Sequence, residues 1–237
     1  MDLENRVVVV TGATGGVGRV VVRALGERGA RLALVSSDQS RLDALVDGLG
    51  LPAEQVFSGA ADLRNAEAAA STASAVMERF GRADVLLHLV GGWTGGKKLA
   101  DTPSDDLAAM LDQHVWTTFH VLRAFVPYLV AGGWGRVIVV SSPVAIRPSA
   151  KSGAYAAAKA AEEALVLTVA QEAKDRGVTA NVLQVRTIDT AHRRDREPSP
   201  ANASWTTPEE ITAAILYLCS DESAVVNASR IRLDGAG

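Results

Sequence analysis

A single cysteine, Cys219, stands among 237 residues, so the chain can close no internal disulfide and build no cysteine-based zinc site. That scarcity suits a reducing cytoplasm. Four histidines without a neighbouring ligand cluster offer no metal-binding pattern. Basic residues (24) are fewer than acidic ones (27), for a net charge of −3, which is no footprint for nucleic acid. No run approaches the roughly 18 uninterrupted apolar residues of a membrane span. The acids in the opening MDLENRVVVV are wrong for a secretory leader. Aromatic residues make up only 5%, yet hydrophobic residues reach 48% and charged residues 22%, the balance of a globular chain and not of a disordered one. The expectation is one cytoplasmic domain spanning 1–237.

Short apolar runs alternate with longer segments of helical period from end to end. The runs cover residues 7–11, 32–36, 55–61, 85–90, 136–141, 179–185 and 230–234. Several are continuously apolar, as strands buried on both faces are. The segments between them, 16–28, 40–49, 65–80, 104–129, 150–176 and 208–220, are long enough for crossover helices. Thr207-Pro208-Glu209-Glu210 reads as an N-cap, a first-turn proline and a reciprocal glutamate. Thr102-Pro103-Ser104-Asp105 repeats that logic. The alternation predicts an α/β fold, a Rossmann-type doubly wound parallel sheet of about seven strands with helices on both faces. Only 191–206 (AHRRDREPSPANASWT) escapes the pattern and reads as a short surface loop on the substrate side.

After the first run comes Thr11-Gly12-Ala13-Thr14-Gly15-Gly16-Val17-Gly18, and then an apolar helix. A glycine-rich turn between strand and helix lets backbone approach a pyrophosphate, while the helix N-terminus adds free N–H donors and a positive dipole end. Thr11, Gly12, Thr14, Gly16, Val17 and Gly18 are therefore candidates for holding a dinucleotide. The other reading is a tight turn without a ligand. About 20 residues on, such folds often place an acid for the ribose hydroxyls; here that position is Ser36, followed by Ser37. The nearest acid, Asp38, comes late and is expected to cap or solvate the next helix. Without a carboxylate nothing repels a 2′-phosphate, which favours NADP(H) over NAD(H), although no arginine stands at Ser37 to attract one.

Tyr155 and Lys159 are four residues apart in Tyr155-Ala156-Ala157-Ala158-Lys159 and share one helix face. An ammonium beside a phenol favours the phenolate, so the phenol is expected below its ordinary pKa of about 10. Such a phenol can exchange a proton with a carbonyl or alcohol oxygen. Ser142, thirteen residues before Tyr155 at the end of the fifth strand, can donate a hydrogen bond to that same oxygen. Taken alone, the motif is equally a Tyr and a Lys in an Ala-rich helix.

Together these residues resemble the short-chain dehydrogenase/reductase family over the whole chain. TGATGGVG is similar to its TGxxxGxG turn, Tyr155 and Lys159 to its YxxxK, and Ser142 to its serine. The resemblance implies NAD(P)(H) as cofactor and Tyr155 as general acid/base. It implies that Lys159 lowers the Tyr pKa and binds nicotinamide ribose, and that Ser142 orients the substrate oxygen. By the same resemblance Asp62, with Leu63, contacts adenine, Gly91 borders the cofactor, and the segment of Ile188 and Thr190 holds the nicotinamide carboxamide. Family members pair through their fourth and fifth helices, so 108–129 and 157–169 are expected to form a homodimer or homotetramer.

The departures from the family pattern are specific. Its Asn-Asn-Ala-Gly after the fourth strand is His88-Leu89-Val90-Gly91 here, its fourth-helix Asn is His114, and its Pro-Gly after the sixth strand is Val185-Arg186. Gly91-Gly92-Trp93-Thr94-Gly95-Gly96 and Gln113-His114-Val115-Trp116-Thr117 are similar to segments of dihydropteridine reductases, as are Ile188-Asp189-Thr190 and Ser204-Trp205-Thr206. That branch nevertheless lacks the serine seen here as Ser142 and keeps an acid at the position of Ser36. By that resemblance Trp93 faces a planar, pterin-like substrate; otherwise it closes the fold over the cofactor. His114 either relays protons or is a buried side chain satisfied by a carbonyl, the reading favoured here. His88 reads as a packed strand-end residue. Arg186 reaches either the cofactor amide or the substrate. Arg193, Arg194 and Arg196 read as a solvated cluster, or else as a site for an anionic substrate.

The expectation is an NAD(P)H-dependent oxidoreductase passing hydride to or from a carbonyl or imine-like bond of a small molecule, without metal, nucleic-acid or membrane partners. The missing family elements motivate one alternative, a non-catalytic NAD(P)-binding scaffold or regulatory protein on the same fold.

Overall fold

Val7, Val8, Val9 and Val10 are all fully buried, which a strand achieves only when both faces of its sheet are covered. The computed structural model describes residues 3–234; the first two residues of the opening segment and the last three of the chain lie outside the described residues. Seven strands, β1 (Val7–Thr11), β2 (Arg31–Ser36), β3 (Val56–Ala60), β4 (Val85–His88), β5 (Gly135–Ser141), β6 (Val178–Val185) and β7 (Arg230–Leu233), lie in the order β3-β2-β1-β4-β5-β6-β7. Every pairing is parallel. The helices are α1 (Gly16–Gly26), α2 (Gln39–Leu49), α3 (Ala66–Phe80), α4 (Ser104–Met110), α5 (Thr117–Ala131), α6 (Gly153–Glu172), the single turn α7 (Arg193–Arg196) and α8 (Pro208–Leu218).

Successive strand side chains point to opposite faces, and the valines divide accordingly. Val7 and Val9 pack with Val76 of α3, Phe125 of α5 and Val166 of α6. Val8 and Val10 pack with Val21 of α1, Leu42 of α2 and Ile211 of α8. The expected doubly wound sheet is thus present, with a hydrophobic core on each face.

The strands fall within a few residues of their expected limits. The fourth has only four residues, because the chain leaves the sheet after Leu89 N donates to Thr11 O at 3.0 Å. The predicted helix over 104–129 is a continuous rod with a change of pitch. Between α4 and α5, Leu111–Trp116 form a π-helical turn, and the Thr117 hydroxyl donates to Gln113 O at 2.6 Å. Such one-turn insertions let a helix re-aim its side chains. Thr207 and Glu210 make the expected reciprocal capping box. Thr102 does not repeat it. Its hydroxyl donates back to Lys98 O, and Pro103 occupies the cap position of α4.

Segment 191–206 is more ordered than its composition suggests. Asp189 accepts from the N–H groups of Arg193 and Arg194 at the start of α7. The Arg194 guanidinium then pairs with both carboxylate oxygens of Glu210 and donates to Trp205 O. Arg194 is therefore a tether and neither solvated nor free to take an anion.

Candidate active site

Strand order reverses between β1 and β4, and open α/β sheets bind ligands at the carboxyl ends of strands beside such a reversal. Two adjoining hollows lie there, of about 680 Å³ and 640 Å³, sharing Leu89, Val90 and Gly91 on their walls. The first runs over the glycine turn to the end of β2. The second holds the Ser, Tyr and Lys of the sequence motif.

The glycine turn is shaped by steric necessity. Gly12 has φ +72°, and a Cβ there would lie 2.8 Å from the Leu89 backbone. A Cβ on Gly18 would fall 2.4 Å from Ala13 O. The N-cap of α1, Gly15, brings no capping side chain, so the first-turn N–H groups are left for another acceptor. With Gly12, Thr14 and Gly15 on the wall, this backbone cradle fits a dinucleotide diphosphate. Thr11, Val17 and Gly18 are buried behind it, and the Thr11 hydroxyl bonds His88 Nδ1 at 2.7 Å. Gly16 lies beneath Thr190, whose methyl a Cβ on Gly16 would meet at 2.5 Å. The segment after β6 is thereby brought over the glycine turn.

At the far end of the first hollow, Ser36 and Ser37 line the wall with Asp62, Leu63 and two arginines, Arg41 and Arg64. The Ser36 and Thr14 hydroxyls bond each other at 2.8 Å. Asp38 caps α2 as expected, accepting from Arg41 N and the Ser40 hydroxyl. Asp62 is held below the usual carboxyl range by the Arg64 guanidinium, its bidentate partner. Arg41 is a residue that sequence reasoning missed. It sits four residues beyond Ser37, within the first turn of α2.

In the second hollow, β5 ends at Ser141, and Ser142 follows, buried, its Oγ at a long 3.5 Å from Val144 N. From α6 come half-buried Tyr155 and buried Lys159. Lys159 Nζ donates to Val140 O at 2.9 Å and to Glu162 Oε2 at 2.6 Å. Glu162 is completely buried. Burial alone would raise its carboxyl, but the Lys159 ammonium and the neighbouring His114 outweigh that and hold it below the usual range.

The Tyr155 phenol departs from expectation in direction: it lies above its ordinary value. Burial is the first cause. Lys159 pulls the other way, Glu162 pushes up again, and the Ser142 hydroxyl lowers it slightly. The expected lowering by Lys159 is overcome chiefly by burial of the phenol, to which the Glu162 carboxylate beside the ammonium adds. The sequence shows an acid three residues past Lys159, but only the structure shows that it is buried.

His114 is fully buried and donates from Nε2 to Gly92 O at 3.0 Å, the carbonyl-satisfied role expected of it. Its ring also meets Tyr155 edge-on, with centroids 5.5 Å apart. His88 is the packed strand-end residue expected, and burial lowers its pKa to about 4. Trp93 lines the hollow but is 64% exposed. Arg186 and Ile188 share the wall, and Arg186 donates to the Ser204 hydroxyl at 2.7 Å. Among the described residues no helix is long and apolar enough to cross a membrane, and no group of His, Cys, Asp or Glu could hold a metal ion.

A parallel seven-stranded sheet, a glycine turn at its switch point and a Ser-Tyr-Lys group beside it define the dinucleotide-dependent oxidoreductases of the doubly wound class. The family model for short chain dehydrogenases matches residues 6–201, and the chain belongs to that family, as an NAD(P)-dependent oxidoreductase. It is 30% identical to a 2,3-dihydroxy-2,3-dihydro-p-cumate dehydrogenase of Pseudomonas putida, over 99% of this chain and 95% of that one. It is 27% identical to a 3-oxoacyl-acyl-carrier-protein reductase of Vibrio cholerae, over 99% and 98%. Among solved structures, an NADPH-bound short-chain oxidoreductase of Pseudomonas aeruginosa, described as containing an atypical catalytic center, superposes with a TM-score of 0.87. That pair is 28% identical and covers 99% of this chain and 97% of the other.

Proposed function

We propose that the chain transfers hydride between NADP(H) and a carbonyl or imine-like bond of a small, planar substrate, with Tyr155 as general acid/base. The reading is carried by one observation: Ser142, Tyr155 and Lys159 line a hollow that joins the glycine-turn hollow at Leu89–Gly91. When bound, the nicotinamide cofactor supplies or accepts the hydride. Ser142 orients the substrate oxygen by donating to it. Tyr155 exchanges its hydroxyl proton with that oxygen, and Lys159 stabilises the phenolate that results.

Gly12, Thr14 and the first turn of α1 would hold the diphosphate, Lys159 the nicotinamide ribose, Ile188 and Thr190 the carboxamide, and Asp62 with Leu63 the adenine. Ser36, Ser37 and Arg41 offer hydroxyls and a guanidinium to a 2′-phosphate, and the P. aeruginosa relative is bound to NADPH. On the substrate side, exposed Trp93 presents a flat aromatic face suited to a pterin-like ring. Arg186 and Lys151 stand on the same wall, which carries no carboxylate among the described residues, so an anionic substituent suits it.

The test is Tyr155→Phe. NADPH oxidation is followed with quinonoid dihydropterin and with a panel of ketones and quinones, neutral and carboxylated. Turnover is expected to fall by about 10²–10⁴-fold while NADPH still binds. Near-native turnover would overturn the mechanism, and turnover of ketones without pterin would leave a general carbonyl reductase.

A further inference from the structure

The Lys159 ammonium does not face Tyr155 as a lone charge. Glu162 is buried one turn further along α6 and accepts from Lys159 Nζ at 2.6 Å through Oε2. Its Oε1 accepts from the Thr118 hydroxyl of α5 at 3.3 Å and lies 3.9 Å from His114 Nδ1 on the π-turn. His88 of β4 is also buried and feels the charge of the same carboxylate. A buried carboxylate is costly unless paired, and an apolar side chain of similar volume often packs as well or better. Packing alone therefore gives no reason for an acid at this position.

We propose that Glu162 is a positioning residue for the catalytic pair: it fixes the Lys159 ammonium and cancels part of its field at the Tyr155 hydroxyl, setting the site for proton donation, the direction of carbonyl reduction. The proposal rests on Tyr155 being the acid/base. Opposite charges this close act on a third group as a dipole, whose influence decays faster than that of a single charge. Reduction adds hydride to the substrate carbon and the Tyr155 proton to its oxygen; oxidation returns both and needs the phenolate beforehand. A lone ammonium would favour the phenolate. An ammonium tied to a carboxylate pulls less strongly towards the phenolate; burial is the first cause of the raised Tyr155 pKa, and Glu162 adds to it against the pull of Lys159. The groups facing Tyr155 and Glu162 are Lys159 on α6, His114 on the π-turn, Ser142 after β5, Thr118 on α5 and His88 on β4. His88, lowered to about 4 by burial, adds no charge near neutrality.

The test is an ultraviolet titration of tyrosinate in the whole protein, which needs no substrate. Subtracting the curve of each protein's Tyr155→Phe counterpart isolates Tyr155 from Tyr128 and Tyr217. In Glu162→Gln the Tyr155 midpoint is expected about one pH unit or more below that of the native protein. Glu162→Asp keeps the charge on a shorter arm and is expected close to the native midpoint, which a purely structural role would not produce. Should Glu162→Gln not fold by circular dichroism, Glu162→Met is expected to show the same downward shift. A midpoint equal to or above the native one in the charge-free variant overturns the proposal. Near-native NADPH oxidation by Tyr155→Phe, measured separately, would instead remove the acid/base reading itself.

Discussion

Arg41 reaches the first hollow from the first turn of α2, and its neighbour Asp38 has its carboxylate occupied by the helix cap. An extra phosphate at the end of β2 would therefore meet a guanidinium and the Ser36 and Ser37 hydroxyls. Arg41→Ala is expected to weaken NADPH binding by about tenfold, the loss of one charge-assisted hydrogen bond, and to leave NADH binding little changed. Fluorescence titration with both reduced cofactors measures this. Equal losses would take Arg41 out of the 2′-phosphate site, and tighter NADH binding by the native protein would reverse the cofactor preference. Charge at single positions was only half legible in the chain. The missing acid at Ser36 could be read from spacing, but an arginine that approaches from one helical turn further along could not.

Helix α8 and segment 191–206 are joined by two side-chain pairs, His192 with Glu209 and Arg194 with Glu210. Glu210 accepts from Thr207 N as the second half of the capping box and also pairs with Arg194, the tether of the segment. Thr207→Ala is expected to cost about 1 kcal/mol, the usual worth of a cap, in urea unfolding. Glu210→Ala is expected to cost more and also to open 191–206 to limited proteolysis, which Thr207→Ala leaves intact. Equal proteolysis of both variants would show that the tether does not hold the segment. The capping box was readable because its partners are three residues apart. Its coupling to Arg194 was not, since that contact spans sixteen residues. The π-turn is a similar case: it points His114 inward, fully buried, and leaves Trp116 of the same turn 49% exposed.

Trp116 belongs to an aromatic group on the outside of the fold, where its ring meets Phe119 and His120 and Phe119 is 38% exposed. We propose that this face of α5 with the adjoining π-turn, together with α6, seats a second copy of the chain, as the family resemblance implies. Apolar aromatic surface of this kind is what symmetric interfaces bury. Native protein is expected to scatter light as a dimer or tetramer at micromolar concentration, and Phe119→Lys to shift it towards monomer. A native monomer under those conditions overturns the pairing.

The order of strands and helices was determined locally. A strand covered on both faces must be apolar throughout, as Val7 to Val10 are, and each amphipathic helix must repeat with its own period. The glycine turn and the Ser142, Tyr155 and Lys159 group were equally legible, because one turn, one strand end and one helix face fix their spacing. Only the tertiary structure decided the electrostatics. Whether Glu162 is a solvated surface acid or a buried partner of Lys159 depends on α5 and the π-turn closing over it, and whether Tyr155 titrates below or above its ordinary value depends first on its own burial and then on that pair. Burial sets the local dielectric, and burial is a property of neighbouring elements that no short pattern encodes.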